Sequence, residues 1–217
     1  MPRDWQAVVD GLSNVQKLVH LAMRHDPFEE ERIRGALLKA RRRAYEDELT
    51  IQAQRVGCNS RAGHLRNGPI LSELAEMCAR DATSIVNTYN YDLAAAIVNI
   101  RSEVPTANRH VYAKRLQVWE AKRAEWKDQQ IALYTENSAR ALAQQHFFQY
   151  NGHGGSAQLQ PKEAVCPVCR GWVARGETPL NVAQNNPPPY HVNCPHFWET
   201  KADRWNKEDC PLLWMGE

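Results

Sequence analysis

Cys166-Pro-Val-Cys169 and His191-Val-Asn-Cys194 enclose a stretch that cannot fold as the rest of the chain does. A Cys-x-x-Cys pair puts two thiolates on one tight turn, and a distant His-x-x-Cys pair supplies a second turn to complete a tetrahedron. Between them Gly171, Gly176, Pro179 and Pro187-Pro188-Pro189 interrupt helices and favour turns or short extended pieces. With so few apolar residues the segment has little core of its own. Structural zinc, which supplies on the order of 10 kcal/mol to small metal-folded peptides, would stabilise it instead. The expected ligands are therefore Cys166, Cys169, His191 and Cys194, with His196 as the alternative nitrogen donor; buried or free thiols are the plainer reading. A catalytic zinc keeps an open position and a nearby carboxylate base, and neither Glu163 nor Glu177 stands in such an arrangement. Cys210 is available as a spare ligand, but packing is the favoured reading of it.

Outward from this module, the N-terminal part reads as helical. Apolar residues recur every three or four positions from Val8 to Met23, from Ile33 to Val56, and from Leu71 through Leu74, Cys78, Ala82, Ile85 and Tyr89 towards Ile100. Pro27 and Pro69 suit first turns, Gly57 suits a C-cap, and the stretch from Asn59 to Gly68 reads as a loop. Glu103-Val104-Pro105 stops the third helix, and Thr106 is the expected N-cap of the longest one. There Tyr112, Trp119, Trp126 and Leu133 repeat every seven residues with Leu116 between them, a seam for a helical core or for a neighbouring subunit. Asn151-Gly152-His153-Gly154-Gly155-Ser156 then reads as a flexible break. The expected fold is mainly α: a long-helix bundle over 1–150, a linker over 151–163, a small irregular zinc-binding module over 164–198 and an aromatic-rich tail over 199–217. Trp198, Trp205 and Trp214 need a surface on which to dock, preferably the chain's own.

The 217 residues, 43% hydrophobic and 24% charged with a formal net charge of +2, exclude a disordered tail and give no bulk electrostatic case for nucleic-acid binding. Lys39 and Arg41, Arg42 and Arg43, followed by Glu46, Asp47 and Glu48, read as a solvated helix face laced with ion pairs. No apolar leader region follows Met1, and nowhere do about 18 apolar residues run together, so neither secretion nor membrane insertion is expected. A cytosol-like compartment makes a disulfide framework the wrong reading of six cysteines. Pro187-Pro188-Pro189-Tyr190 satisfies a PPxY pattern, but the favoured reading is that the prolines hold the chain extended before the second knuckle.

Tyr134-Thr135-Glu136-Asn137, the Gly-rich break, Cys166-Pro-Val-Cys169 and Pro188-Pro189-Tyr190-His191-Val192-Asn193-Cys194 together resemble the C-terminal half of the phage Mu F-like head-morphogenesis, or minor head protein, family. Members show a Thr-Glu helix, then Cys-x-x-Cys, then a segment like P-P-x-H-P-N-C-R-C. This chain departs from that pattern at Tyr134, at Val192 and at Pro195-His196, where the family often has a further cysteine. The resemblance covers about the last 85 residues and leaves the helical part unmatched. It implies a non-catalytic virion protein of a tailed bacteriophage, in the head or neck, with portal, neck or capsid proteins as partners. Homo-oligomeric contacts and contact with packaged DNA fit that setting, as does assembly in the host cytoplasm. The alternative is a zinc-ribbon-like nucleic-acid-binding protein, in which Arg170, Arg175, Lys201 and Arg204 meet phosphates and Trp172 and Trp198 stack on bases. An enzyme is the least expected class, because no P-loop, dinucleotide fingerprint or Ser-His-Asp order is present.

Overall fold

The computed structural model describes residues 29–55, 68–106, 108–164, 166–189, 194, 196–201 and 204–205. The first expected helix, the Gly57 cap, most of the loop before Pro69, Cys58, His191, Cys210 and Trp214 lie outside these residues. The described part is mainly helical. In chain order it contains α1 (Glu30–Arg55), α2 (Gly68–Glu103), α3 (Arg109–Arg123), a π-helical turn (Ala124–Asp128) and α4 (Gln129–Asn151). Then come β1 (Gly152–His153), β2 (Ser156–Gln160), α5 (Pro167–Arg175), β3 (Thr178–Pro179), α6 (Leu180–Gln184), β4 (Phe197–Lys201) and β5 (Arg204–Trp205). Among the described residues no helix is long and apolar enough to cross a membrane.

Two compact units alternate along the sequence: one takes in Met1–Lys39 and Ala75–Ala132, the other Ala40–Leu74 and Leu133–Glu217. The boundary expected at 150/151 therefore falls inside the second unit. In the first, α2 and α3 form an antiparallel hairpin. Asn108 caps α3, its side chain accepting from the N–H groups of His110 and Val111, in place of the expected Thr106. Tyr112 donates to the carbonyl of Val104 at 2.9 Å, Tyr89 to Glu120 at 3.1 Å, and Arg123 to Asp92 at 3.2 Å. Of the described side chains along the seven-residue seam, Tyr112, Leu116, Trp119 and Leu133 are half-buried, and Arg123 is the one buried residue of α3. The Trp119 ring meets Tyr89 at 6.1 Å, and the Arg123 guanidinium lies 4.6 Å from the centre of the same Tyr89 ring.

In the second unit the helical periodicity holds but the charged cluster behaves differently from expectation. Ala40, Ala44, Tyr45, Leu49 and Ala53 are buried, as are Ala139, Leu142, Ala143, Phe147 and Phe148 of α4. Arg42 and Arg43 pair with Glu46 and Asp47 at the surface as a solvated face requires. Arg41 and Glu48 do not. They point into the unit, 0% and 5% exposed, because they lie one residue off the charged stripe and on the apolar one.

The stretch expected as a linker is the middle of a sheet. β2 pairs antiparallel with β3 (Ser156↔Pro179) and with β4 (Ser156↔Lys201 through Gln160↔Phe197), giving the order β3-β2-β4. Ala157 and Leu159 are buried and alternate with Ser156, Gln158 and Gln160, a two-residue period that outweighs the glycines just before it. Those glycines make the turn, Gly154 and Gly155 having φ of 72° and 106°. The start of the expected tail docks on its own chain: β4 is a sheet strand, and β5 pairs with β1 (Gly152↔Trp205).

Candidate metal centre

Three of the expected or alternative ligands converge. Cys169 Sγ lies 3.6 Å from Cys194 Sγ, and Cys194 Sγ lies 3.6 Å from His196 Nδ1. The three donor atoms fall within 4.8 Å of one another, and all three residues are buried. These spacings are too long for a disulfide, and the cysteines are free thiols. They do match the edges of a tetrahedron: with metal–sulfur bonds of about 2.3 Å and metal–nitrogen bonds of about 2.0 Å, adjacent donors stand roughly 3.5–3.8 Å apart. The group can hold a metal ion on geometric and chemical grounds.

Local structure sets the first knuckle. Cys166 is the N-cap of α5, Pro167 occupies the first turn, and the Cys169 N–H points back at Cys166 Sγ at 3.2 Å. That backbone hydrogen bond, the Cys169 side chain, the Val168 amide and Arg170 hold the Cys166 thiol below its ordinary range, against a smaller opposing effect of desolvation. Burial pushes the Cys169 thiol well up, and the sulfurs of Cys166 and Cys194 push it further. A cation placed among them would relieve that crowding. Gly176 ends α5 with φ of 71°, a left-handed turn that leads the chain back into β3.

The second knuckle is held from two sides. Trp198 is buried, donates from its indole N–H to the Asn186 carbonyl at 2.9 Å, and meets Trp172 edge-on at 5.5 Å. The Arg175 guanidinium covers the Trp172 ring at 4.6 Å. From α4, Asn137 Nδ2 donates to the Cys194 carbonyl at 2.8 Å. Its neighbours form a hub with α1. Glu136 accepts from Arg140 at 2.8 Å, and Ser138 accepts from Arg41 at 3.4 Å. Glu48 accepts from Gln52 at 2.6 Å, from Gln144 at 2.8 Å and from Arg140 at 3.5 Å.

Of the expected ligands, Cys169 and Cys194 are therefore together with His196, the alternative imidazole. Cys166 stands on the same knuckle as Cys169 but falls outside the group of three converging donors, and His191 lies outside the described residues. Asn137 has a role that sequence reasoning missed, because the motif stretch containing it gives no sign that its amide reaches a carbonyl 57 residues away. Comparison with family models, curated proteins and solved structures gives no match.

Proposed function

We propose that the chain is a structural virion protein of a tailed bacteriophage, a minor head or head–neck component associated with the portal, in which a zinc ion stiffens the C-terminal module. The observation that carries the proposal is the Asn137–Cys194 hydrogen bond. It joins the Thr-Glu helix to the second knuckle, so two distant parts of the motif set that resembles the minor head family act as one physical unit. Zinc is the ion of choice because two or more sulfurs and an imidazole in tetrahedral spacing suit it better than oxygen-seeking cations. The ion's part is mechanical: it fixes a knuckle that presents β4 and its neighbours as a preformed surface, lowering the ordering cost of docking in an assembly. No catalytic step is assigned to it.

The nucleic-acid reading loses its main support at the aromatics. Trp198 is buried and committed through its N–H, and Arg175 covers one face of Trp172. The proposal is tested by probing purified virions of the source phage for this protein and by co-purifying it with the portal protein. Presence in the virion in defined copy number and portal binding that is lost in Cys169→Ser are expected; absence from virions refutes the assignment.

A further inference from the structure

Between α2 and α3 lies an open groove of about 970 Å³. Its walls are two regular helical stripes, Asp92, Ala96, Asn99 and Glu103 on one side and Val111, Arg115, Val118 and Lys122 on the other. Each stripe steps by four, three and four residues, the spacing with which one helix receives the side chains of another. Ala95 and Ala96 contribute small side chains to the α2 wall, Trp119 lines the groove half-buried, and Val118 is 50% exposed. Its apolar members, Ala95, Ala96, Val111, Val118 and Trp119, lie among charged ones, and a surface of this spacing and mixed character has the form of a seat for an amphipathic third helix.

Charge says what kind of helix. Both carboxylates of the groove are already engaged, Asp92 by Arg123 and Glu103 by Arg115. Among the described residues no groove carboxylate is left for Lys114 and Lys122, which flank Val118 one turn to either side. We propose that this groove receives an acidic amphipathic helix of a partner protein, its apolar face on Val111, Val118 and Trp119 and its carboxylates on Lys114 and Lys122. The α2 stripe is roughly 16 Å long, so about three turns of the partner would be held. A nucleic acid would have to set its phosphates against exposed valines. The inference is independent of the metal centre.

The test uses the full-length chain and fluorescein-labelled helical peptides of about 20 residues with one apolar face, flanked either by Glu or by Lys, together with a labelled DNA duplex. Val118→Asp and Lys122→Glu change exposed positions, so both variants should keep the wild-type helical circular dichroism. Micromolar binding of the Glu peptide, no binding of the Lys peptide, and about a tenfold loss in each variant would establish the site. Glu-peptide binding that is absent, or that survives both substitutions, overturns it. Tighter binding of the duplex with the same sensitivity to Lys122→Glu also overturns it, as does a concentration-dependent dimer abolished by Val118→Asp.

Discussion

The hub at Thr135–Ser138 and the hairpin of α2 and α3 treat polarity in opposite ways. In the second unit, Arg41, Glu48, Gln52, Glu136 and Gln144 are buried and knitted together, and the adjoining module gathers thiols and an imidazole in its interior. In the first, Val111 and Val118 face water while the one buried side chain of α3 is an arginine. Buried polar networks add little net stability but tolerate few alternative arrangements, so they fix one geometry. Exposed apolar stripes cost stability in the isolated chain and become useful only when covered. The contrast separates a part of the molecule built to be rigid from a part built to be met.

The sharpest way to break the comparison is at Glu48. Its carboxylate serves Gln52, Gln144 and Arg140; Arg140 keeps Glu136, so Glu48→Ala strands two buried amide donors and should cost about 2–4 kcal/mol in chemical denaturation. A loss below about 1 kcal/mol would mean the network is ornamental. Asp128 probes the first unit's own buried charge. Burial raises its carboxyl to about 7 from an ordinary 3.8, with Arg123 pulling the other way. The folded state then holds a proton that the unfolded chain releases, so stability should fall as pH rises from about 4 to 7 and level off above. Asp128→Asn should flatten that slope and raise the melting temperature at pH 8 but not at pH 4; an unchanged slope would locate the titration elsewhere. Asn137→Ala removes one hydrogen bond and should cost about 1 kcal/mol, with metal affinity weakened roughly tenfold as for other groups that orient ligands from behind. Competition with a chromogenic chelator reads that change. Smallest of all, Val118→Asp should move stability by no more than about 0.5 kcal/mol, since half of that side chain is already in water.

Helix periodicity was legible where apolar residues alone set the stripe, as from Leu74 to Tyr89. It misled at Arg41 and Glu48, because a charge run looks the same whether every member is solvated or one in three turns inward to a partner 97 residues away. Glycines hid β2: the turn at Gly154-Gly155 reads as flexibility until β3 and β4 are there to pair with the next five residues. The knuckle spacing pointed to Cys169 and Cys194, which the fold brings together with His196, but it gave no sign that Cys166 falls outside that group. His196 needed the fold, because its place beside Cys194 follows from where β4 begins. Asn137 had no local signal at all.

Metal content tests the central claim most directly. Protein purified without chelator should contain about one zinc per chain by elemental mass spectrometry, and Cys169→Ser, Cys194→Ser and His196→Gln should each lose it. Freshly reduced wild-type protein that is folded and metal-free, or His196→Gln that keeps its full metal complement, would contradict the account.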